Sequence, residues 1–181
     1  MRLFGPNGLL RDARQVPSLN CDDRPAGAET TLLVVHSISL PPGEFGGGAI
    51  EKLFTNRLDP AAHPAFGELQ DLRVSAHFLV RRDGELIQFV PVHRRAWHAG
   101  VSRWRGRERC NDFSVGVELE GTPQHAFADP QYAQLARLVR ALRSTLPLRE
   151  IAAHSDIAPG RKSDPGDRFD WSRLFFTLAT R

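Results

Sequence analysis

The sequence predicts a single α/β domain in which a central mixed β-sheet is flanked by about three α-helices. Strand-like and helix-like segments alternate along the chain, and no internal repeat or long low-complexity stretch interrupts them. The 181 residues suit one domain, and a hydrophobic content of 41% is sufficient for one packed core. We therefore expect residues 1–181 to form one domain.

The first strands are predicted from buried apolar runs. Residues 31–38, TLLVVHSI, are apolar and become polar at their end, which is typical of a buried strand that opens onto a loop. Residues 74–91 predict a hairpin, because Asp83 and Gly84 suit a two-residue type I′ turn between two apolar runs.

Two later strands follow. The alternation in residues 112–121, DFSVGVELEG, places one set of side chains on one face, namely Phe113, Val115, Val117 and Leu119. The opposite face then carries Ser114, Gly116, Glu118 and Glu120. Residues 149–154, REIAAH, predict a short strand that ends in His154.

Three helices are predicted from apolar spacings of three and four. The first covers residues 49–58, with Ile50, Leu53, Phe54 and Leu58 on one face. The second opens with Asp129 as N-cap and Pro130 as its first residue, and its apolar face is Tyr132, Leu135, Val139, Leu142 and Leu146. Asp170 caps the third, whose inward residues are Trp171, Leu174, Phe175 and Leu178.

Composition and charge exclude several classes of protein. The net charge is +3, but the arginines are scattered without a basic block, so we do not expect nucleic-acid binding. No apolar run is long enough to span a membrane. Residues 1–18 lack a signal-peptide pattern, and two cysteines outside any CxxC pair suit a reducing compartment, so we expect an unpaired-thiol protein of the cytoplasm.

A possible metal site is indicated by two histidines and an aspartate. His36 and His154 both lie where an apolar strand gives way to a Pro/Gly loop, and Asp164 follows ten residues after His154. Two imidazoles and a carboxylate would leave one position of a tetrahedral zinc open, as in catalytic sites. The spacing alone is a weak signal, and either histidine equally suits a hydrogen-bonded structural role.

Four further features each have a functional and a structural interpretation. Glu118, in an otherwise apolar strand, is a candidate general base, or else one face of that strand is hydrated. Lys162, one of two lysines beside 22 arginines, could neutralise an oxyanion or be an exposed cation. Trp97 and His98 could line a pocket or cover the core, and the Pro/Gly-rich loop 39–48 could be a lid or an inert turn.

The remaining histidines are expected to be structural. His77 lies within the hairpin strand and is interpreted as packed or as supporting a ligand. Three others are expected at the surface, namely His63, His93 and His125.

Five segments together resemble the AmpD family of cytoplasmic 1,6-anhydro-N-acetylmuramyl-L-alanine amidases of bacterial cell-wall recycling. They are LLVVHSISLPPGEFGG, LRVSAHFLVRRDGELIQFVP, RAWHAGVS, GRERCNDFSVGVELEG and the run from His154 through SDIAPGRKSDPG to FDW. The resemblance extends from about residue 15 to residue 171. The wider amidase superfamily, which includes phage amidases and peptidoglycan recognition proteins, shares only parts of this set.

The resemblance implies roles for particular residues. It implies Zn²⁺ held by His36, His154 and Asp164, with Glu118 as catalytic carboxylate and Lys162 as its electrostatic partner. It also associates three positions with muropeptide binding, namely Arg73, Trp97 and Arg109. Ser37 stands where family members often have Asn, which puts one polar substrate contact in doubt but not the metal site.

The implied reaction is hydrolysis of the amide bond between 1,6-anhydro-N-acetylmuramic acid and L-alanine. Removal of such muropeptides implies an indirect role in β-lactamase regulation, and we expect a monomer with a small-molecule substrate. Three alternatives remain open. They are a module that binds cell-wall fragments without cutting them, a zinc peptidase that cuts within the stem peptide, and a periplasmic amidase acting on intact peptidoglycan.

Overall fold

Strands and helices alternate through the computed structural model, which describes residues 3–180. The strands of this part of the chain are β1 (Arg14–Gln15), β2 (Cys21–Asp23), β3 (Leu32–Ile38), β4 (Phe78–Val80), β5 (Leu86–Gln88), β6 (Arg94–Ala96), β7 (Arg103–Trp104), β8 (Arg107–Glu108), β9 (Ser114–Glu120) and β10 (Glu150–Ala153). The α-helices are α1 (Ala49–Phe54), α2 (Asp129–Arg143), α3 (His154–Ile157) and α4 (Trp171–Ala179), and 3₁₀ helices cover Pro64–Leu69 and Cys110–Phe113.

Six strands form one mixed sheet in the order β1-β5-β4-β9-β3-β10. The four strands β4, β9, β3 and β10 are parallel to one another, and β5 joins β4 in an antiparallel hairpin. Two small antiparallel pairs, β2 with β6 and β7 with β8, lie outside this sheet. The predicted mixed sheet is confirmed. Helix α1 lies in the connection from β3 to β4, and α2 lies in the connection from β9 to β10.

The centre of the sheet is the pairing of β3 with β9, which extends over seven residues of each strand. All seven residues of β9 are buried, so the hydrated face that was one interpretation of Glu118 and Glu120 is wrong. Parallel strands covered on both faces are expected to be buried in this way. The predicted alternation holds for Val115, Val117 and Leu119, which share one core cluster. Phe113 belongs instead to the preceding 3₁₀ turn and to a different cluster.

Helices cover both faces of the sheet. On one face α2 and α4 pack on apolar side chains of the central strands, with Leu135 and Leu142 fully buried. On the other face α1 buries Ile50, Leu53 and Phe54 against β4 and β5. The apolar side chains are therefore buried in three clusters rather than in the single core that the composition predicted, because the sheet separates them. No helix within residues 3–180 is long and apolar enough to cross a bilayer.

The strand and helix limits differ from prediction at several points. The hairpin has Arg81 paired with Glu85 and a positive φ at Gly84 but not at Asp83, so it is a three-residue turn with a bulge rather than type I′. His154 begins the short α3 instead of ending a strand. The first helix ends at Phe54, because Asn56 adopts a left-handed backbone.

Two helix ends also differ. The N-cap of α2 is Ala128, one residue before Asp129, and the Gln131 side chain accepts the Ala128 N–H at 3.0 Å. Asp170 caps α4 as predicted, accepting the Arg173 N–H at 2.9 Å. The predicted burial of Phe175 is wrong, because half of that residue is exposed beside Trp171. Cys21 and Cys110 are both unpaired, as predicted.

A buried ion pair fixes the end of the loop at residues 39–48 to the sheet. The Arg81 guanidinium donates to Glu120 at 2.8 Å, and their side chains are 9% and 2% exposed. The same guanidinium donates to the Gly47 carbonyl, and Glu120 accepts the Gly46 N–H at 2.7 Å. The loop is therefore anchored to the sheet near its carboxyl-terminal end.

Replacing this buried carboxylate is expected to cost more stability than replacing an exposed one. Glu120→Gln removes one of the two carboxylates that pair with the buried Arg81, which also donates to Glu51 at 2.8 Å, so the expected cost is about 1–3 kcal/mol. The matched control is Glu85→Gln, whose partner Arg14 and own side chain are both about two-fifths exposed, with an expected cost below about 1 kcal/mol. Urea denaturation of both variants measures the difference, and equal losses would contradict it.

Candidate active site

Three side chains from distant parts of the chain meet at one edge of the sheet. His36 Nδ1 and His154 Nδ1 are 2.9 Å apart, and Asp164 Oδ2 lies 3.2 Å from the first and 3.0 Å from the second. His36 and His154 are buried, and Asp164 is partly exposed. The structure thus brings together the three residues that the sequence suggested as metal ligands.

Each of these side chains is positioned by a different element. His36 lies in β3, the most extensively paired strand. His154 follows β10, which pairs with β3 from Glu150 to Ala153, so both imidazoles reach the same edge. Asp164 lies in the loop after α3, where its carbonyl accepts the Ser155 N–H at 3.0 Å. Strand ends of a parallel sheet are a common place for such sites, because rigid strands there meet adaptable loops.

The outward nitrogens of both imidazoles are hydrogen-bonded to protein groups. His154 Nε2 lies 3.2 Å from the Ala99 carbonyl, which can only accept, so this nitrogen carries the proton. His36 Nε2 lies 2.9 Å from His98 Nδ1. With protons on the outward nitrogens, the lone pairs of both Nδ1 atoms point inward, as in histidines that bind metals.

The cluster fits a tetrahedral zinc ion. Ligand bonds of about 2.0–2.1 Å give ligand-to-ligand distances of roughly 3.3 Å in a tetrahedron, close to the three distances observed. Two neutral imidazoles and one carboxylate supply three lone pairs with no proton between them, an arrangement that a cation would stabilise. Three protein ligands leave the fourth position open, as catalytic zinc sites require.

Glu118 stands beside this cluster. The register of β3 and β9 pairs Glu118 directly with His36, and both line a cavity of about 280 Å³. Glu118 Oε2 is buried and has no hydrogen-bond partner among residues 3–180. Burial, reinforced by the charge of Asp164, raises the pKa of the Glu118 carboxyl well above its usual value, against a smaller opposing effect of Lys162. A carboxyl with a raised pKa suits proton transfer near neutral pH.

Two of the other candidates share the cavity. Lys162 and Trp97 line it together with apolar side chains, among them Leu72 and Ile38. Ser37 lies between this cavity and a second one of about 430 Å³ bordered by Pro42, and its Oγ is buried without a hydrogen-bond partner in the described part of the chain. The Pro/Gly loop therefore borders the site.

Two predicted binding residues lie outside the cavity lining. Arg73 is exposed, and its guanidinium donates to the carbonyls of Gln70 and Leu72 at the cavity rim. Arg109 lines a separate groove with Arg103 and Arg161. The structure therefore groups Trp97, Ser37 and Lys162 with the candidate metal ligands. It leaves Arg73 at the cavity rim and Arg109 in a separate groove.

Sequence reasoning missed Asn111 and Ser114, and it left His98 with two interpretations. His98 contacts a metal-ligand candidate directly, and the side chains of Asn111 and Ser114 contact the His98 segment. The only sequence signal for Asn111 and Ser114 was that polar side chains occur in and beside the predicted strand at residues 112–121. The expectation for His77 is confirmed as packing, because it is fully buried and Nδ1 accepts the Gly116 N–H. Of the three histidines expected at the surface, His93 and His125 are exposed, whereas His63 is half-buried.

The fold and site agree with the comparisons to known proteins. The family model for N-acetylmuramoyl-L-alanine amidase matches residues 26–167. The chain therefore belongs to the N-acetylmuramoyl-L-alanine amidase family and is an enzyme with that amide-hydrolysing activity.

Two curated relatives refine the likeness. The chain is 60% identical over 169 residues to 1,6-anhydro-N-acetylmuramyl-L-alanine amidase AmpD of Escherichia coli K12, which covers 92% of each chain. It is 48% identical over 174 residues to the protein of the same name from Haemophilus influenzae, covering 94% of this chain and 95% of the relative. The predicted resemblance to the AmpD family is confirmed.

Solved structures agree. The crystal structure of a selenomethionine AmpD derivative superposes with a TM-score of 0.95 at 54% identity, covering 97% of this chain and 99% of that one. Escherichia coli AmiD, in complex with the substrate anhydro-N-acetylmuramic acid-L-Ala-D-γ-Glu-L-Lys, superposes with a TM-score of 0.61 at 29% identity, covering 85% of this chain and 60% of that one.

The buried Glu118 carboxyl predicts a pH-dependent gain in stability for Glu118→Gln in chelator-treated protein. Because folding raises the pKa of Glu118, the folded state favours the protonated form. The free-energy cost of ionising Glu118 in the folded protein is absent below the pKa of this group in the unfolded chain, about 4.5. Above that pH the cost grows by up to about 1.4 kcal/mol per pH unit, until the pKa of Glu118 in the folded state is passed. Thermal and urea denaturation should therefore show equal stability near pH 4 and a more stable Gln variant at pH 8.

The control is Glu44→Gln, which replaces an exposed carboxyl in the loop at residues 39–48. It should change stability little at either pH. A Glu118→Gln variant that is no more stable at pH 8 than at pH 4, relative to the unmodified chain, would contradict the burial argument.

Proposed function

We propose that this chain is a zinc-dependent amidase that hydrolyses the amide bond between 1,6-anhydro-N-acetylmuramic acid and L-alanine during peptidoglycan recycling. The observation that carries the proposal is the presence of His36, His154 and Asp164 around one point, with Glu118 in the same cavity. The names of the AmpD relatives support the anhydro-muropeptide as substrate. The muropeptide bound to AmiD supports a small-molecule substrate with a sugar and a peptide part.

Zinc at this site would be held by His36, His154 and Asp164, and it supplies a Lewis acid that polarises a carbonyl and makes water more acidic. Glu118 accepts a proton from the water that attacks the lactyl amide carbon. When the C–N bond breaks, the protonated Glu118 delivers that proton to the departing L-alanine nitrogen. Such general acid–base catalysis typically contributes about 10²–10⁴-fold.

Lys162 acts on the other reacting atom. Its exposed ammonium lines the cavity and can approach the carbonyl oxygen, where negative charge develops as water adds. A compact ammonium fits beside a small oxyanion better than a planar guanidinium does. The products are a free lactyl carboxylate on the anhydro sugar and a stem peptide with a free L-alanine amine.

The remaining candidates bind the substrate. Trp97 offers an aromatic face to the sugar within the cavity, and the buried Oγ of Ser37 is available to a polar group of the substrate. We propose that Arg73, at the cavity rim, and Arg109, in a separate groove, attract the carboxylates of a longer stem peptide. We propose a cytoplasmic, monomeric enzyme that also removes muropeptides that would induce β-lactamase.

Zinc dependence and the cleaved bond can be tested together. Purified protein is expected to contain one zinc per chain and to release the stem peptide from anhydro-muropeptide. A chelator should abolish turnover, added zinc should restore it, and His36→Ala should retain less than one zinc per chain. Mass spectrometry of the products identifies the bond, since cleavage before L-alanine yields a free lactyl carboxylate.

Each failure has a distinct meaning in this experiment. Stoichiometric zinc without peptide release would favour a binding module. Products cut within the stem peptide would favour a peptidase. Faster turnover of intact sacculus than of soluble anhydro-muropeptide would favour an amidase that acts on peptidoglycan itself.

Lys162 substitutions test the proposed charge at the oxyanion. Lys162→Ala is expected to lower kcat about 10²–10³-fold with little change in zinc content, because charge stabilisation at the oxyanion is lost. Lys162→Arg should recover only part of this activity. The matched controls are Lys52→Ala and Lys52→Arg, since Lys52 is an exposed lysine of α1, and both should retain full activity. Full activity in Lys162→Arg would remove the requirement for lysine.

A further inference from the structure

The dipeptide His98–Ala99, which lies outside the strands and helices, contacts both imidazoles of the candidate metal site. The His98 ring meets His36, with 2.9 Å between His98 Nδ1 and His36 Nε2. The Ala99 carbonyl meets His154, at 3.2 Å from His154 Nε2. The orientation of both histidine ligands therefore depends on where one loop segment is held.

The protons in this network have only one consistent arrangement. The Ser114 hydroxyl lies 2.6 Å from the Cys110 carbonyl, and a carbonyl can only accept, so the hydroxyl donates there. Ser114 Oγ then accepts from His98 Nε2 at 3.2 Å. His98 Nδ1, now without a proton, accepts from His36 Nε2. The Cys110 carbonyl, three hydrogen bonds away, thus leaves His36 Nδ1 with its lone pair toward the metal position.

Asn111 holds the dipeptide in place. Its Oδ1 accepts the N–H of His98 at 3.1 Å and the N–H of Ala99 at 2.8 Å. A carboxamide oxygen has two lone pairs and can satisfy both donors at once. Asn111 belongs to the 3₁₀ turn that leads directly into β9, the strand of Glu118. One side chain therefore ties the ligand-orienting loop to the central sheet.

Strand β9 leaves space for the His98 ring because residue 116 has no side chain. A Cβ at Gly116 of β9 would overlap the imidazole, so the ring lies directly against the glycine backbone. From the other side, Arg161 donates to the Ala99 carbonyl at 2.6 Å and to the Val101 carbonyl. These contacts leave the dipeptide little freedom to shift without disturbing both histidines.

We propose that Asn111 is a positioning residue of the metal centre, which holds His98 and the Ala99 carbonyl where they orient both histidine ligands and fix the tautomer of each. The proposal rests on the zinc site proposed above. Loss of comparable hydrogen bonds around metal ligands typically lowers metal affinity about 10–100-fold. We therefore expect Asn111 to affect zinc affinity out of proportion to its effect on stability.

The tautomers can be read directly in the unmodified chain. Long-range ¹H–¹⁵N correlation spectra of the full-length protein labelled with ¹⁵N-histidine, with zinc and after chelation, are expected to show His98 and His36 protonated at Nε2. A His98 proton on Nδ1 would overturn the proposal whether or not any variant folds. Since the chelated sample needs no metal, this result stands even if the zinc proposal itself fails.

Variants separate positioning from packing. Asn111→Leu keeps the size but removes the acceptor, and it should weaken zinc binding about 10–100-fold in chelator competition. Asn111→Asp keeps an oxygen that can accept both N–H groups and should restore most of the affinity that Asn111→Leu loses. His98→Leu should resemble Asn111→Leu, whereas His98→Asn, which keeps an acceptor near Nδ1, should recover part of the affinity.

The control is His77→Leu, which replaces another buried histidine, with its ring 5.8 Å from that of His98 and hydrogen bonds to the backbone of Gly116 and Arg94. It should lose stability yet keep zinc affinity. Wild-type zinc affinity in Asn111→Leu, with only a lower melting temperature, would show a purely structural role and overturn the proposal. An unmodified chain that binds no zinc would instead refute the proposed function.

Discussion

The parallel pairing of β3 with β9 is the constraint on which the site depends. It places His36 beside Glu118 in adjacent strands, at positions where both side chains are buried. Burying a carboxyl and an imidazole there is unfavourable unless each finds a partner, because the interior solvates charge poorly. The apolar remainder of both strands stabilises a sheet rigid enough to hold these groups together. The site is therefore built at the expense of local stability, which the core around it offsets.

The polar groups at the His36, His154 and Asp164 site are of two kinds: some have hydrogen-bond partners within residues 3–180 and others have none there. The outward nitrogens of His36 and His154 are both hydrogen-bonded, which fixes the rings. Glu118 Oε2 and Ser37 Oγ are buried without partners within the described chain. The satisfied nitrogens orient the two imidazoles, and the two unsatisfied groups line the cavity. The other buried side-chain atoms without partners in the described chain, the Nε atoms of Arg24 and Arg94, do not belong to residues that line it.

Two loops that border the cavity are each fixed to the sheet by hydrogen bonds from one or two side chains. Glu120 and Arg81 anchor the end of the loop at residues 39–48, and Asn111 anchors the dipeptide that orients the histidines. Both anchors connect to β9 or its preceding turn. The central strand thus supports the candidate catalytic carboxylate of Glu118 and one wall of the cavity. A glycine is needed at position 116 because the His98 ring lies against it.

The sequence by itself determined the α/β class, the central apolar strands and the residue types of the candidate metal site. These features can be predicted because apolar runs and the chemistry of a side chain are visible locally in the sequence. It also indicated Glu118, since a carboxyl in an apolar strand is unusual. Tertiary structure alone decided that His36 and His154, separated by 118 positions, meet at 2.9 Å. It alone revealed Asn111 and Ser114, because hydrogen-bond networks between loops leave no periodic trace in a sequence. It also shortened the first helix and exposed Phe175, since helix limits and burial depend on neighbours that the chain meets only after folding.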